Sequence, residues 1–336
     1  MLYIRTDMND IIATGHVMRC LAIAEAAKVQ GEDTTFLLAD EQAVNLIKER
    51  GFQFLVLHTK WNDMEAELPM IETVIKERNI EKLFIDSYQV TPQYLKKLTA
   101  IVKTIYIDDL NAFVYPVNAL ICYANFWEKF HYKDNYHKTK LFLGPKYTPL
   151  RKEFYNCEKK QIKSQVENVI LLSGGTDNYD ILNQILEKIE KSQYQSIDVI
   201  CGRYYPNYHV LCEKYSENKN IHIYQAVSNI EYYMKKADFA VAAGGTTLYE
   251  LCALGVPTIS YSLADNQLDN VKKFQEDGMI DYIGDARTDN IVEVIVSYLE
   301  KYHKNLEIRM EKSEKMQKLV DGKGAERIVE IFRKEI

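Results

Sequence analysis

The sequence predicts an α/β fold made of two doubly wound, Rossmann-like domains, each with a parallel sheet. Short runs rich in β-branched and aromatic residues alternate with amphipathic segments of helical period along most of the chain. This alternation is typical of a parallel sheet that is covered by helices on both faces. The chain has 336 residues, which exceeds the ~250–300 residues at which single cores usually stop growing. Two domains are therefore expected.

The periodicity predicts the individual elements in chain order. In the first half, strands are expected at residues 3–5, 34–38, 53–57, 82–85, 104–107 and 119–122. Helices are expected between them, at about 16–30, 41–50, 64–78 and 91–100. In the second half, strands are expected at 168–172, 196–200, 221–224, 239–242 and 258–261. Helices are expected there at about 178–191, 206–216, 229–236, 246–254, 267–276 and 289–302, before a charged helical run at 305–335.

The best domain boundary follows a segment that contains Gly144, Pro145 and Pro149 and precedes a lysine-rich polar stretch. We expect an N-terminal domain at 1–150, a linker at 151–165 and a second domain at 166–304. The helices of 305–336 either cross back to the first domain or form a solvated cap. Ligands of doubly wound sheets bind beyond the carboxyl ends of the strands. Functional residues are therefore expected directly after strands, at a cleft that the two sheets face.

Composition excludes several classes of protein. A net charge of −6 argues against a dedicated nucleic-acid binder. No apolar stretch approaches the ~18–20 residues that a membrane span needs, and the N-terminus does not resemble a secretion signal. The six cysteines are scattered without a CxxC pair, which is not zinc-ligand spacing. We expect reduced cysteines, a cytoplasmic location, and neither a metal nor a cofactor.

His16 lies where the first strand passes through a loop into the first helix. The start of a helix carries free N–H groups and a partial positive charge. This field disfavours an imidazolium, so a histidine here tends to stay neutral and able to accept a proton. The alternative is a structural histidine at a helix start with a satisfied hydrogen bond. Acidic residues also end three predicted strands, namely Asp7, Asp86 and the pair Asp108-Asp109.

If the strands are placed correctly, these carboxylates and His16 form one polar cluster at one sheet edge, although each Asp alone could be a turn residue. The sequence has no DxD motif and gives no case for a metal clamp on a diphosphate.

In the second domain, two strands are each followed by two glycines, a hydroxyl residue and a helix. Glycines let the backbone approach an anion closely, and helix N-terminal N–H groups bind phosphate. Two such turns favour phosphate binding, and the alternative is a turn needed only for packing. The residues concerned are Ser173, Gly174, Gly175, Gly244, Gly245, Thr246 and Thr247.

Three further polar residues lie near the second turn. Glu250 follows Thr246 by about one helical turn and could accept from ribose hydroxyls, or it could face solvent. Asn266 and Gln267 start the helix after the next strand and could bind a ligand or merely cap that helix.

Taken together, these motifs resemble those of the sugar-nucleotide hydrolases of pseudaminic acid biosynthesis. That family is similar in fold to the peptidoglycan N-acetylglucosaminyltransferase, a GT-B enzyme. The resemblance spans residues 7 to 267 in order. Its marks are Asp7, Gly15-His16, Arg19, Ile85-Asp86-Ser87-Tyr88, Ile107-Asp108-Asp109, Gly144, Tyr147, Leu150-Arg151, Glu153-Phe154-Tyr155, Ser173–Asp177, Glu250 and Asn266-Gln267. One departure is Ala13, where the family usually has glycine; the alanine argues against a positive φ there.

The resemblance implies a GT-B architecture and hydrolysis of UDP-2,4-diacetamido-2,4,6-trideoxy-β-L-altropyranose with inversion, without a metal. His16 would be the catalytic base or orient the water. The substrate sugar would meet Asp7, Gly15, Arg19, Asp86, Tyr88 and Asp109. The nucleotide would meet Ser173, Gly174, Gly175, Gly244, Gly245, Thr246, Thr247, Glu250, Asn266 and Gln267. The protein is expected to be a monomer or weak dimer.

Three alternatives remain open at this point. A GT-B glycosyltransferase would use the same UDP site with an acceptor alcohol in place of water. A hydrolysing 2-epimerase would share the fold. A non-catalytic UDP-sugar binding protein is the alternative from a different class, and the retained His16, Asp86 and Tyr88 argue against it.

Overall fold

The computed structural model, which describes residues 1–334 and 336, contains one parallel sheet in each of two structural units. Unit 1 comprises Met1–Lys152 and Gly322–Ile336, and unit 2 comprises Glu153–Asp321. Within each sheet every neighbouring pair of strands is parallel. The predicted fold class of two doubly wound parallel-sheet domains is confirmed.

The sheet of unit 1 has the strand order β3-β2-β1-β4-β5-β6-β7. Its strands are β1 Leu2–Thr6, β2 Thr34–Leu38, β3 Gln53–Val56, β4 Lys82–Asp86, β5 Lys103–Ile107, β6 Ala119–Cys122 and β7 Lys140–Leu143. Its helices are α1 Gly15–Val29, α2 Val44–Glu49, α3 Met64–Glu77, α4 Pro92–Thr99 and α5 Tyr132–Asn135. Short 3-10 turns lie at Trp127–Phe130, Pro145–Tyr147 and Lys152–Phe154.

Strand register brings several polar residues of unit 1 to one sheet edge. Thr6, at the end of β1, pairs with Asp86, at the end of β4. Ile107 at the end of β5 pairs with Ile121 of β6. The residues that follow these strands therefore share the carboxyl edge of the sheet, where a doubly wound fold binds its ligands.

The sheet of unit 2 has the order β10-β9-β8-β11-β12-β13. Its strands are β8 Asn168–Leu172, β9 Ser196–Cys201, β10 Ile221–Gln225, β11 Phe239–Ala243, β12 Thr258–Ser262 and β13 Asp281–Asp285. Its helices are α6 Ile181–Lys188, α7 Tyr208–Lys214, α8 Ile230–Lys236, α9 Thr247–Leu254, α10 Asp265–Glu276, α11 Ile291–Lys304 and α12 Leu306–Gln317. Strands β8, β9, β11 and β12 are buried throughout, as expected for a sheet covered on both faces.

Two strands of the structure are not predicted by the sequence pattern. The strands β7 and β13 are both edge strands, and most of their residues are only half-buried. An edge strand lacks the continuous apolar run of a central parallel strand, so its periodicity signal is weak. The other strands begin and end within about a residue of the predicted bounds, and α2 is shorter than predicted.

The C-terminal run divides between the units. Helix α12 packs against α9 in unit 2, whereas α13 (Gly324–Lys334) packs on α1 in unit 1. Lys82 donates from Nζ to the Phe332 carbonyl at 2.6 Å. A Cβ at Gly324 would lie 2.0 Å from the carbonyl oxygen of Thr148, so only glycine fits at the start of α13. Among the described residues, no helix is both long and apolar enough to span a bilayer.

Candidate active site

His16 is the second residue of α1 and is 5% exposed. The preceding loop is closed by Asn9, whose Oδ1 accepts from the N–H groups of Ile11 and Ile12 at 2.9 Å. Ala13 pairs with Asn9 and has a φ of 55°. The expectation that alanine argues against a positive φ at this position is wrong. Holding a non-glycine residue in this region costs about 1–2 kcal/mol, and the Asn9 turn and the Asn9–Ala13 pairing hold Ala13 there.

Asp86 fixes the orientation of the His16 ring. The Nδ1 atom of His16 lies 2.6 Å from Oδ1 of Asp86. Two atoms this close need a proton between them, and although burial opposes ionisation, Arg19 and His16 hold the pKa of Asp86 well below its usual range. The carboxylate therefore accepts from Nδ1–H. In the neutral ring with its proton on Nδ1, the Nε2 atom carries a lone pair, and Nε2 has no hydrogen-bond partner in the part of the chain that the structure describes.

Arg19 lies one helical turn after His16 and clamps the same carboxylate. Its Nε donates to Oδ2 of Asp86 at 2.6 Å and one Nη2 hydrogen donates to Oδ1 at 2.5 Å. Its Nη1 donates to the hydroxyl of Tyr123 at 2.7 Å and to Oδ2 of Asp109 at 3.1 Å. The strand ends of β4, β5 and β6 therefore all meet α1 at this arginine.

Tyr88 covers one flank of His16. The two ring centroids are 4.4 Å apart and the ring planes meet at 79°, an edge-to-face arrangement. Burial and the nearby Asp109 carboxylate raise the pKa of Tyr88, so its phenol stays protonated at neutral pH. The neighbouring Asp108 is a structural residue, because it accepts from the N–H of Leu110 at 3.0 Å and from the hydroxyls of Tyr115 and Tyr132.

The structure places Asp7 in a different ion cluster from His16. Its Oδ2 accepts from Nη1 of Arg5 at 2.5 Å, and its Oδ1 accepts from the N–H of Ala39 at 2.8 Å. Arg5 also forms a bidentate pair with Glu67, at 2.9 Å from Nε and 2.6 Å from Nη2. Gly15, by contrast, is exposed at the start of α1 with open space beside it. Substrate binding by Asp7 and Gly15 stays a prediction.

Sequence reasoning missed Arg5, Glu67 and Tyr123. A guanidinium inside a fully buried strand requires a buried carboxylate, so Arg5 was a usable signal for a partner such as Glu67. Tyr123 directly follows β6, at the same sheet edge as Asp86 and Asp109. Its contact with Arg19 depends on tertiary packing that no local pattern reveals.

In unit 2, the first glycine turn follows β8. Gly174 has a φ of 78°, and Gly202 packs so closely that a Cβ there would lie 2.1 Å from the Gly174 carbonyl oxygen. Asp177 caps α6 by accepting from the N–H groups of Ile181 and Leu182, each at 2.9 Å. Burial raises the pKa of Asp177 to about 6. The α6 N-terminus therefore already has an anionic cap, whereas the buried Ser173 hydroxyl has no partner among the described residues.

The second glycine turn, between β11 and α9, is packed on one side and open on the other. A Cβ at Gly244 would lie 2.3 Å from Cγ1 of Val271, and Nδ2 of Asn270 donates to the Gly244 carbonyl at 3.0 Å. Nothing lies within 4 Å of the Cβ position of Gly245. Thr246 is exposed and makes no side-chain cap. This turn can therefore present α9 N–H groups to an anion.

The other predicted nucleotide residues lie on the two helices next to this turn. Thr247 and Glu250 are half-buried in the first turn of α9, and Asn266 is exposed at the start of α10. Gln267 accepts through Oε1 from the N–H of Leu263 at 2.8 Å. Within residues 1–334 and 336, no group of three or more His, Cys, Asp or Glu side chains is placed to hold a metal ion.

Comparisons of sequence and fold show which known proteins this chain is similar to. Residues 169–327 match the family model of the glycosyltransferase family 28 C-terminal domain. The spore coat polysaccharide biosynthesis protein SpsG of Bacillus subtilis is 22% identical over 333 residues, covering 95% of this chain and 94% of that protein. An uncharacterised protein of Methanocaldococcus jannaschii is 27% identical over 270 residues, 76% of this chain and 54% of that protein.

A further relative is the UDP-N-acetylglucosamine–N-acetylmuramyl-(pentapeptide) pyrophosphoryl-undecaprenol N-acetylglucosamine transferase of Campylobacter jejuni. It is 30% identical over 192 residues, 54% of this chain and 52% of that protein. The chain thus spans about half the length of the archaeal and Campylobacter relatives. The crystal structure of Acinetobacter baumannii MurG superposes with a TM-score of 0.70 at 12% identity, covering 99% of this chain and 100% of that one. The chain therefore has a GT-B fold, and residues 169–327 of unit 2 are similar to the glycosyltransferase family 28 C-terminal domain.

Proposed function

We propose that this protein is a UDP-sugar-dependent enzyme in which His16 is the general base for attack at the anomeric carbon. The observation that carries the proposal is the pairing of His16 Nδ1 with Asp86 at 2.6 Å. This pairing leaves the lone pair of Nε2 as a base. A carboxylate behind the imidazole also stabilises the positive charge that forms when Nε2 takes a proton.

The proposed reaction is a single displacement. Nε2 removes the proton from an acceptor O–H as its oxygen bonds to the anomeric carbon. The bond from that carbon to the diphosphate oxygen breaks, its electron pair leaves with UDP, and the configuration inverts. UDP is a good leaving group, so the reaction needs no strong general acid. N–H groups at the turn of Gly244–Thr247 would stabilise its charge.

We propose glycosyl transfer to an alcohol as the main reaction. The family 28 C-terminal domain match supports a nucleotide-sugar donor in unit 2. The similarity to the Campylobacter N-acetylglucosamine transferase supports UDP as the nucleotide. We propose that its ligands are Ser173–Gly175, Gly244–Thr247, Glu250, Asn266 and Gln267.

Hydrolysis is the second candidate. In it water replaces the alcohol, and the substrate is UDP-2,4-diacetamido-2,4,6-trideoxy-β-L-altropyranose. Its support is the ordered set of motifs from Asp7 to Gln267. The same base serves both reactions, because water and an alcohol each present an O–H to Nε2.

The test compares UDP release by the wild type and by His16→Asn, with UDP-N-acetylglucosamine and the UDP-diacetamido sugar as donors. Asparagine can place an N–H near Asp86 as Nδ1 does, but it has no counterpart of Nε2. We expect a fall in kcat of about 10²–10⁴-fold with unchanged UDP affinity by calorimetry. A kcat within threefold of the wild type would refute the role of His16.

The two reactions are separated by running the assay in ¹⁸O-labelled water, with and without an alcohol acceptor. Hydrolysis puts the label on the sugar C1 hydroxyl and needs no acceptor. Transfer leaves the sugar unlabelled and makes UDP release depend on the acceptor. A 2-epimerase would instead give a product with inverted C2, which NMR of the released sugar detects.

A further inference from the structure

Every N–H of Arg19 is directed at the protein itself. The Nε hydrogen and one Nη2 hydrogen bond to Asp86, and the two Nη1 hydrogens point to Tyr123 and Asp109. The second Nη2 hydrogen faces Nδ1 of His16, 2.9 Å away. A guanidinium has five donors and no acceptor. Arg19, 7% exposed, therefore directs four of its five N–H groups to Asp86, Tyr123 and Asp109, and its fifth N–H lies against the His16 ring, whose Nδ1 donates to Asp86 and does not accept.

The short contact between Nη2 and Nδ1 is explained by their shared acceptor. Oδ1 of Asp86 lies 2.6 Å from Nδ1 and 2.5 Å from Nη2, so it accepts from both. The positive guanidinium is thus held directly against the imidazole. A positive charge within about 4–6 Å disfavours a second one, so this contact opposes formation of an imidazolium in the resting protein.

We propose that Arg19 is a positioning residue that sets the tautomer and the neutral state of His16, rather than a residue that binds the sugar. Asp86 transmits its effect, and Asp109 and Tyr123 anchor its outer end. Without Arg19, the lone Asp86 carboxylate would favour an imidazolium, which cannot act as a base. This inference rests on the proposed role of His16 as the general base.

The charged and titratable groups around His16 come from every element that packs on it. Arg19 and Cys20 lie on α1. Asp86 is the last residue of β4, Tyr88 lies two residues after it, and Asp109 follows β5. Tyr123 follows β6. Burial raises the pKa values of Cys20, Tyr88 and Tyr123, so these groups stay neutral around pH 7. The charges that govern His16 are therefore those of Asp86, Arg19 and Asp109.

The test is long-range ¹H–¹⁵N NMR of the full chain labelled in histidine, which reports the tautomer and protonation of each ring without any turnover. Among the signals of the seven histidines, the signal of His16 is identified as the one that disappears in His16→Asn. In the wild type at pH 7, His16 should be neutral, with its proton on Nδ1. An imidazolium or an Nε2–H tautomer of His16 in the wild type overturns the inference, and His16→Asn serves only to assign the signal.

The variant that probes the charge is Arg19→Gln, which keeps a donor for Asp86 but is neutral. We expect the NMR signals of His16 in this variant to change from the neutral Nδ1–H pattern toward the imidazolium pattern at pH 7, with kcat/KM lower than that of the wild type at the same pH. Arg19→Lys keeps the cation and should resemble the wild type. Arg50→Met, which removes the 3.0 Å pair with Glu25 elsewhere on α1, is the control.

A substrate-binding role gives a different result. KM for the donor would rise in Arg19→Gln while the NMR signals of His16 and the pH profile stayed as in the wild type, and the inference would then be wrong. Failure of the proposed function is distinguished separately, because it appears as activity in His16→Asn, whereas the NMR state of His16 does not depend on activity.

Discussion

The substitution Asp86→Asn tests the central feature of the site, the buried carboxylate shared by His16 and Arg19. Asparagine occupies the same volume but removes the charge. Its amide can turn an N–H toward Nδ1, which would force the imidazole proton onto Nε2 and leave no base. Where an Asp→Asn change in a His–Asp pair has this effect, the rate falls about 10⁴-fold, which is about 5 kcal/mol of activation free energy.

The same substitution should also lower stability, since the guanidinium of Arg19 loses the partner that it contacts at 2.5 and 2.6 Å. Removing one member of a buried ion pair costs about 3–5 kcal/mol. Urea unfolding measures this loss. UDP release is then assayed at a temperature where the variant remains folded, and UDP affinity should be unchanged, because the proposed nucleotide ligands belong to unit 2.

A double-mutant cycle separates the two effects. In the His16→Asn background, Asp86→Asn should cost no further rate, because no base is left to orient, although it should still cost stability. The reasoning is refuted if Asp86→Asn alone keeps kcat within tenfold of the wild type. It is also refuted if the two rate effects simply multiply.

Three further predictions concern the rest of the molecule. Gly244→Ala should weaken UDP binding and lower the free energy of unfolding by about 1–3 kcal/mol, because its Cβ overpacks against Val271. The matched Gly245→Ala has open space at its Cβ and should change the free energy of unfolding little. Calorimetry of UDP binding and urea unfolding measure the two effects, and equal effects of the two variants would contradict this reasoning. Arg5→Met should destabilise by about 3–5 kcal/mol, because it leaves Glu67 buried without its cation, and Arg50→Met by no more than about 1 kcal/mol. Burial raises the pKa of Asp177 to about 6, above that of an Asp in the unfolded chain. The protonated carboxyl therefore stabilises the folded state below about pH 4, and this stabilisation is lost as the pH rises through 6. The stability of the wild type relative to Asp177→Asn should therefore fall between pH 4 and pH 7, by at most about 3 kcal/mol; a pH-independent difference would show that the carboxyl titrates normally.

Most of the fold follows from the sequence because central parallel strands are recognisable apolar runs. The strand β8 has the sequence Asn-Val-Ile-Leu-Leu and is fully buried, so its pattern and its environment agree. The strand β13, Asp-Tyr-Ile-Gly-Asp, carries two acids and a glycine with a φ of 140°. It becomes a strand because Ile259 and Ser260 of β12 pair with it, which is information that its own residues do not hold.

The site was predictable to the level of the strand ends. His16, Asp86 and Asp109 meet at one sheet edge because parallel strands end together, and the sequence places each of them after a strand or at a helix start. Whether a polar group at that edge contacts a ligand or another side chain depends on distances of a few ångströms. The sequence contains no such distances, so it does not reveal the ion pairs that Arg19 and Asp7 form with Asp86 and Arg5, and substrate binding by these two residues stays a prediction.

Unit 1 contains two buried ion clusters, each with an arginine between two carboxylates. Arg5 lies between the carboxylates of Asp7 and Glu67, just as Arg19 lies between those of Asp86 and Asp109. In the first cluster every polar atom serves the interior: Asp7 binds the Ala39 N–H, and Tyr94 donates to Glu67 at 2.6 Å. In the second, the arginine and its carboxylate meet an imidazole whose Nε2 has no partner among the described residues. A buried ion cluster costs desolvation and stabilises a fold little. In the second cluster Oδ1 of Asp109 also has no hydrogen-bond partner among the described residues. The second cluster thus differs from the first in leaving polar atoms open beside His16, and this difference favours the proposed chemistry at Nε2.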